Sequence, residues 1–553
     1  MKRQTISIAA PHMLVAFLIL ATIFTISAPQ QRFEAEDALD YAAAVEFGET
    51  SDLISRNHLA YLPVSKLIFE GAKRLSVVDR ALPLMVTVGA LTAAGACVLF
   101  VVFLRHALNV EVRLAIFGGA ALAASYGFWR YAGEAEVYAM ASLSALGLLI
   151  AAYRLNPSTV GAATLAVLAV AAILGHSLNA SIVIATPYLL LKRGWPIRHI
   201  VAAAVLGLAL LMPILFGVYR YSVDDALGRA EDPGFAGFYL GKGTRFDLRP
   251  LDIVLAVGVA GSLIIASNAV FLYEPARDLI TELIPTRALS EELYMGATAP
   301  EWLGWIAPVS MAVAVVSLVA LVRRLDPASA IRSTDGKVLV IWMTVYSFIV
   351  IVGGNLTQPE VWLLLLIPFW GLIVISLRMR SVSSGLLLLV AGSLALNSLL
   401  SGLLPLYTSS DRQSDLTIWL ESNADQSDLV LTADSAGLAR YIAYQLPPQV
   451  AFIGGRVGAV DEVETLWDMI IDRATTREII SYLDDRRLLS GHRRPPASDG
   501  NLYVTRDFFD PPSWLEAANP EVAQMLAEMS QQYSQVFQPV DGSDLYFVRL
   551  TTP

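Results

Sequence analysis

Long uncharged stretches alternate with short charged ones along the chain up to about residue 407. A helix needs roughly 20 apolar residues to cross the core of a bilayer, and several stretches reach that length. They include 81–104, 201–218, 251–273, 302–322 and 384–406. Only 16% of the 553 residues are charged, and one soluble globule could not bury so many uncharged helices. The sequence therefore predicts a polytopic α-helical membrane protein.

Basic residues predict how these helices are oriented. Four loops rich in arginine and lysine should face the cytoplasm, and the acid-rich loop 29–80 should face outward. The basic residues are Arg105, Arg113, Lys192, Arg193, Arg198, Arg323, Arg324, Arg332, Lys337, Arg378 and Arg380. The N-terminal Met1-Lys2-Arg3, followed by an apolar run, favours an uncleaved first helix over a signal peptide.

An internal N-terminus and an external C-terminus require an odd number of spans, so we expect about 11 to 13 transmembrane helices. Counting spans in order places the basic loop 323–337 outside, against the positive-inside rule. One segment is then re-entrant, or one crossing is hidden in 219–250 or 279–293.

Beyond the membrane part, 1–407, the composition becomes that of a soluble domain, 408–553. Short apolar runs at 428–433, 449–453, 501–505 and 545–550 predict strands, and 463–490 predicts one or two amphipathic helices. This alternation is typical of a small α/β domain. The net charge of −10 argues against nucleic acid as a partner.

The first external loop carries Glu36, Asp37 and Asp40 directly after the first membrane helix. Asp37 and Asp40 are three residues apart, so on a helix they share a face. Such a pair can orient a base or hold a metal at the membrane surface, whereas the alternative is a solvated acidic loop that only enforces topology. His58 opens the amphipathic segment that follows.

Three further polar groups interrupt apolar segments on the same predicted external side. They are Arg130, Glu136 and Tyr138 in the stretch 129–138, His176 in a break at 175–179, and Asn355 with Glu360 in 353–360. Ionisable groups beside membrane spans are functional candidates. The alternatives are an internal ion pair of Glu136 with Arg130, a plain turn at His176 and an ordinary loop at 353–360.

These motifs resemble the polytopic C-type (GT-C) fold of glycosyltransferases that use lipid-phosphate sugars. They are more particularly similar to a bacterial branch related to a transmembrane family of protein O-mannosyltransferases. The resemblance rests on Asp37-Ala38-Leu39-Asp40-Tyr41, on His58 with Pro63, on Trp129 with Glu136-Val137-Tyr138, and on His176. It covers roughly residues 1–200, and the adjacent prolines and second histidine of the family's motifs are absent.

The resemblance implies an inverting transfer of a sugar from a polyprenyl-phosphate donor to a protein, lipid or glycan acceptor. The reaction would take place at the periplasmic face of the bacterial inner membrane, with 29–80 as the catalytic loop. Asp37 is the expected base, with Glu36 and Asp40 as substitutes. Arg130, His58 or His176, or a divalent metal, would meet the leaving phosphate. His58, Arg130, Glu136, Tyr138, His176, Asn355 and Glu360 form the expected substrate-binding set.

Two other functions fit a membrane protein with a soluble domain. A transporter or flippase of lipid-linked sugars would use the intramembrane charges as a relay and often shows inverted repeats, of which the sequence has none. A sensor or assembly protein would use the membrane part only to anchor the C-terminal domain, which has no nucleophile motif or metal cluster in its sequence.

Overall fold

The computed structural model describes most of the chain. The described residues are 10–28, 36–50, 52–55, 57–226, 250–283, 296, 299–353, 356, 358–378, 380–405, 412–433, 436–453, 460–471, 474–485, 489–490, 499–509, 511, 520–532, 537–540 and 545–548.

Helices account for all regular structure up to residue 405 in the described ranges. In chain order they are α1 (Ala10–Ile26), α2 (Glu36–Phe47), α3 (Tyr61–Arg74), α4 (Ala81–Val102), α5 (Val112–Ala124), α6 (Tyr126–Ala132), α7 (Tyr138–Arg154), α8 (Thr159–Gly175), α9 (Ala180–Lys192), α10 (Ile197–Ala226), α11 (Pro250–Ser262), α12 (Glu274–Leu283), α13 (Leu303–Val322), α14 (Pro327–Arg332), α15 (Thr334–Gly353), α16 (Leu366–Leu377) and α17 (Ser384–Asn397). Short 3₁₀ or π turns lie at Phe103–Ala107, Ser177–Asn179, Asn268–Leu272, Glu360–Leu365 and Ser398–Leu403.

The remaining helices and all the described strands follow residue 411. The helices are α18 (Arg412–Asn423), α19 (Ala436–Gln445), α20 (Val460–Ile471), α21 (Thr476–Asp485) and α22 (Pro520–Gln532). The strands are β1 (Leu429–Thr432), β2 (Gln449–Phe452), β3 (Leu489–Ser490), β4 (Leu502–Thr505), β5 (Phe537–Pro539) and β6 (Leu545–Val548), with a short 3₁₀ turn at Arg506–Phe508.

Six helices in the described ranges are long and apolar enough to cross a membrane. They are Ala81–Ala107, Ile197–Tyr221, Leu303–Val322, Thr334–Gly353, Glu360–Leu377 and Ser384–Leu403. The pair α5 and α6, bent by 66°, adds a seventh when it is counted as one span, and five shorter apolar helices of 10–17 residues accompany them. The chain is therefore a multi-pass membrane protein, as its apolar stretches predict.

The chain divides into two compact units, and their boundary does not follow the sequence order. One unit comprises Met1–Pro29, Glu49–Val270 and Glu301–Leu406, and we call it the membrane unit. The other comprises Gln30–Gly48, Phe271–Pro300 and Tyr407–Pro553, and we call it the sheet unit. Helix α2, which carries the acidic pair, is thus part of the sheet unit.

Helix α4 lies at the centre of the packing in the membrane unit. It contacts α1, α5 and α7, and its buried positions are mostly small residues such as Gly89, Ala93 and Ala94. Small side chains allow helix backbones to approach closely, which is the main packing device where lipid provides no hydrophobic drive. The α4 sequence thus favours close contact with three neighbours.

The sheet unit contains a six-stranded sheet in the order β3-β2-β1-β4-β6-β5. Strand β1 pairs in parallel with β2 and β4, whereas β3, β5 and β6 pair antiparallel at the two edges. Leu429 and Leu431 pack on one face against α20, α21 and α22, and Val430 packs on the other face against α18 and α19. The predicted α/β fold of this region is confirmed.

Candidate active site

Two backbone hydrogen bonds join the segment before α3 to the turn between α8 and α9. The Ala60 amide donates to the Leu174 carbonyl at 2.8 Å, and the Ser177 amide donates to the Asn57 carbonyl at 2.7 Å. This pairing brings His58 and His176 together, with ring centroids 6.2 Å apart. Two histidines that are 118 positions apart in the sequence therefore share one site.

Asn179 fixes the turn that carries His176. Its side-chain amide, fully buried, donates to the carbonyls of Ala141 and Ala172, both at 3.0 Å. These bonds connect the turn to α7 and to the end of α8, so the polar break at 175–179 has a defined structural cause. His176 itself accepts a hydrogen bond at Nδ1 from the Leu178 amide at 3.2 Å.

Four more side chains complete a buried group around the two histidines. The Tyr138 ring lies 5.3 Å from His176, the Tyr61 ring 6.2 Å from His58, and the Tyr131 ring 6.0 Å from Tyr138. The Glu136 carboxylate acts electrostatically on Tyr61. We call this group the His–Tyr cluster: His58, Tyr61, Tyr131, Glu136, Tyr138 and His176. Each of its members is at most 6% exposed.

Burial controls the charge of the cluster. It lowers the pKa of His176 to about 3, with a further contribution from nearby His58, so the imidazole is neutral near pH 7. Because Nδ1 accepts a bond from the Leu178 amide, the single imidazole proton is assigned to Nε2. Burial, followed by the Glu136 carboxylate, raises the pKa of Tyr61 well above 10.0. The cluster therefore offers neutral N–H and O–H donors beside one carboxylate.

Arg130 is enclosed next to the cluster in an ion pair with Glu134. Its Nε lies 3.2 Å from Glu134 Oε1, and the two side chains are 3% and 0% exposed. Its Nη1 donates to the Tyr126 hydroxyl at 3.4 Å, and that hydroxyl accepts a second bond from Asn268 at 2.8 Å. Arg130 is thus paired with Glu134, which lies two residues beyond the end of α6.

Gly89 of α4 allows the connection between α6 and α7 to approach closely. A Cβ at Gly89 would lie 2.9 Å from the Glu134 carbonyl oxygen, closer than real side chains come. The absence of a side chain there permits the backbone of 133–137, which carries Glu134 and Glu136, to pack directly on α4. A packing feature of α4 thus positions the acidic residues of the site.

The short turn Glu360–Leu365 connects the cluster to an apolar cavity. At its first residue, Glu360 accepts a hydrogen bond from the Tyr131 hydroxyl at 3.4 Å. Further along, Trp362 and Leu365 line a cavity of about 370 Å³ whose other walls come from α11, α15 and α16. Polar groups and an apolar cavity therefore meet at the two ends of one turn.

The acidic residues of the first loop lie in the sheet unit. As their spacing predicts, Asp37 and Asp40 share one face of α2, and both contact Arg440 of α19. Arg440 Nη1 lies 3.5 Å from Asp37 Oδ1, and its Nε lies 2.8 Å from Asp40 Oδ2. The Tyr41 hydroxyl donates to Asp37 Oδ2 at 3.3 Å.

The two units therefore divide the predicted site residues. His58, Glu136, Tyr138 and His176 come together in one cluster, Glu360 contacts it through Tyr131, and Arg130 lies in the adjoining ion pair. Asp37 and Asp40 come together on α2. Glu36 begins α2, but its side chain lies outside the described residues, and so does Asn355. Within the described ranges, no group of three or more His, Cys, Asp or Glu residues could hold a metal ion.

Sequence reasoning missed four residues of these sites, namely Tyr61, Tyr131, Glu134 and Arg440. Tyr61 follows His58 by three positions, and Tyr131 and Glu134 lie in the polar stretch 129–138 that the sequence already singles out. Those three could have been found. Arg440 carries no comparable signal, since nothing in the sequence connects it to a loop about 400 residues earlier.

No family model matches this sequence, and no curated protein matches it. Solved structures do match. The crystal structure of ArnT from Cupriavidus metallidurans bound to undecaprenyl phosphate superimposes with a TM-score of 0.50 at 12% sequence identity. That match covers 99% of this chain and 100% of ArnT.

The chain has the GT-C fold.

Two further crystal structures match this chain at lower TM-scores. ArnT from Cupriavidus metallidurans in the apo state gives 0.46 at 13% identity, covering 98% of this chain and 99% of that chain. The Archaeoglobus fulgidus oligosaccharyltransferase tethered with an acceptor peptide gives 0.44 at 11% identity, covering 93% and 72%. The GT-C fold predicted from the motifs is confirmed, and the O-mannosyltransferase branch remains a prediction.

Proposed function

We propose that the chain is an inverting glycosyltransferase that uses a polyprenyl-phosphate sugar as donor. The observation that carries the proposal is the His–Tyr cluster, a buried group of donors and one carboxylate inside a GT-C fold. Buried polar groups within a membrane unit are costly unless they serve a ligand or a structural network. The ArnT structure with the same fold binds undecaprenyl phosphate, which supports a lipid-linked donor for this chain.

The polar and apolar surfaces of the site suit such a donor. An isoprenoid tail needs an apolar cavity and a phosphosugar needs polar donors, and the turn Glu360–Leu365 contacts both kinds of surface. The neutral His176 and the Tyr61 and Tyr138 hydroxyls can donate to phosphate or sugar oxygens. Arg130, which neutralises Glu134 inside the protein, is in our proposal a support for the cluster and not the main phosphate ligand.

The proposed step is a single displacement. An acceptor hydroxyl attacks the anomeric carbon, its proton passes to a carboxylate, and the bond from the anomeric carbon to the phosphate oxygen breaks. The electron pair leaves with the polyprenyl phosphate, and the configuration inverts. Asp37 is the proposed base because it is 58% exposed and held by contacts of 3.3 and 3.5 Å, whereas Asp40 makes the shorter bond to Arg440.

The proposed location is the periplasmic side of a bacterial inner membrane. The basic loops, including Arg378 and Arg380, assign the opposite side to the cytoplasm under the positive-inside rule. The acceptor is a protein, lipid or glycan hydroxyl.

The test is a transfer assay on the purified full-length protein in lipid nanodiscs. Radiolabelled polyprenyl-phosphate sugars of several kinds are incubated with and without membrane extract as the acceptor source. We expect loss of label from the donor and its appearance in acceptor or free sugar. A protein that binds these donors and moves them between leaflets of a liposome without consuming them would instead be the transporter of our alternative.

A further inference from the structure

Helix α2 contacts α19 near both of its ends. Arg440 contacts Asp37 and Asp40 near the start of α2, and near its end the Tyr444 hydroxyl donates to Glu46 Oε2 at 2.8 Å. The Phe47 and Tyr444 rings also lie 6.0 Å apart. Both α2 and α19 belong to the sheet unit, so these contacts describe one compact body.

Arg440 holds the two carboxylates in different ways. Its side chain is only 15% exposed, which favours a fixed guanidinium over a freely moving one. Its Nε makes a short charge-assisted contact of 2.8 Å with Asp40, and its Nη1 lies 3.5 Å from Asp37. One guanidinium can direct two separate contacts because its N–H groups form a rigid planar fork, which a lysine ammonium lacks.

We propose that Arg440 is a positioning residue for the proposed base Asp37, an assignment that rests on the glycosyltransferase function proposed above. Arg440 anchors Asp40 and orients one oxygen of Asp37, while Tyr41 orients the other. The Asp37 carboxylate, the more exposed of the two, is then held in a fixed direction and keeps access to an acceptor hydroxyl. Arg440 is thus a contribution of the α/β domain to the proposed reaction.

The experiment compares variants of the purified full-length protein in the transfer assay, measuring kcat and the donor KM. Arg440→Gln should lower kcat by about 10- to 100-fold, because small misplacements of a reacting group cost rates of that order. The donor KM should change by less than about threefold, since the His–Tyr cluster, which is proposed to bind the donor, is intact. Arg440→Lys keeps the charge without the fork and should fall between Arg440→Gln and the wild type.

Tyr444→Phe is the matched control, because it removes a contact between the same two helices without touching either aspartate. We expect its kcat within about threefold of wild type. The double variant Arg440→Gln/Asp40→Asn should be no slower than Arg440→Gln, because both changes remove one shared contact. Equal losses in Arg440→Gln and Tyr444→Phe would assign Arg440 to helix docking alone and overturn the proposal.

Two further outcomes separate this proposal from the proposed function. If Asp37→Asn loses activity while Arg440→Gln keeps wild-type kcat, the positioning role is wrong and the glycosyltransferase function stands. If the wild-type protein consumes no polyprenyl-phosphate sugar, the function fails and the role of Arg440 fails with it. If Arg440→Gln does not fold, the kcat of Arg440→Lys is the test of the positioning role. A wild-type kcat in Arg440→Lys would then overturn the proposal.

Discussion

At the scale of single residues, the two groups of candidate residues, one in each unit, have different surroundings. His176 is enclosed and neutral, whereas Asp37 is exposed and faces Arg440. Burial penalises a charged imidazole, so His176 stays neutral. Neutral donors thus lie in the membrane unit and a pair of acids in the sheet unit, and the glycosyl transfer proposed above would use both kinds of chemistry.

The acidic helix gives the sharpest test at this scale. Asp37→Asn keeps the shape and removes the proton acceptor, so turnover should fall by about 10² to 10⁴ while donor binding persists. Asp40→Asn should cost less, and Glu36→Gln is the control for a generic acidic loop. Transfer rates and donor binding are measured for all three. Equal and small losses of transfer rate in all three variants would show that the acidic loop only sets the membrane topology. A dominant loss in Glu36→Gln or Asp40→Asn would assign the role of base to that residue instead of Asp37.

The buried histidine predicts a pH dependence of stability. The pKa of His176 is about 3 in the folded protein and 6.5 in an unfolded chain, so the unfolded state binds more protons between these values. Stability is fully present above pH 6.5 and is lost as the pH falls, by about 1.4 kcal/mol per pH unit. Thermal unfolding at pH 7.5 and pH 5 should show this loss in the wild type and a smaller one in His176→Asn. An identical pH response of the two proteins would contradict the neutral imidazole.

At the scale of elements, the site depends on where helix backbones approach one another. The turn 174–179 pairs with the segment 57–61, and α4 allows the Glu134 carbonyl close to Gly89. These approaches are tertiary contacts, and each aligns polar side chains from helices that are distant in sequence. The helices are rigid supports, and His58, Glu136 and His176 lie in the connections between them.

Two glycines of α4 offer a matched test of this view. Gly89→Ala would press a methyl group against the Glu134 carbonyl, so we expect a loss of about 1–3 kcal/mol in stability and reduced transfer. Gly95→Ala would place its methyl at an ordinary 3.5 Å from Leu143 and should be neutral or stabilising. Thermal unfolding and transfer rates are compared. If the two variants behave alike, the close approach at Gly89 does not position the site.

The sequence predicts the helices and strands of this protein better than the tertiary contacts between them. Apolar length and alternation predict the helices and the strands β1, β2, β4 and β6, because these signals are local. The spacing of Asp37 and Asp40 also predicts their shared face. The proximity of His58 to His176 and of Arg440 to α2 depends on tertiary packing, which no local pattern encodes. The membership of α2 in the sheet unit follows from the same kind of contact.

At the scale of the whole molecule, charge predicts the orientation in the membrane. The loop with Arg378 and Arg380 is basic, and one span, Ser384–Leu403, separates it from the C-terminal domain. The positive-inside rule therefore predicts that this domain lies outside the cytoplasm. This orientation would place α2 on the side where the reaction is proposed.

Reporter fusions after Pro553 test the orientation. We expect an alkaline phosphatase fusion to be active and a green fluorescent protein fusion to be dark, because phosphatase matures only in the periplasm. Fusions after Lys192, in a loop predicted to be cytoplasmic, provide the control with the opposite pattern. A fluorescent and phosphatase-negative C-terminus would reverse the proposed topology.

The pairing of α2 with α19 also has a consequence for how the protein is made. Glu46 and its partner Tyr444 are 398 residues apart in the chain. Synthesis at about 5–20 residues per second puts roughly 20–80 seconds between the appearance of the two helices. Throughout that interval the acid-bearing helix exists without Arg440, which follows Asp40 by 400 positions in the chain. The contact between the proposed base and Arg440 thus forms late, and a ribosome that stops before residue 440 leaves an acidic helix without its arginine.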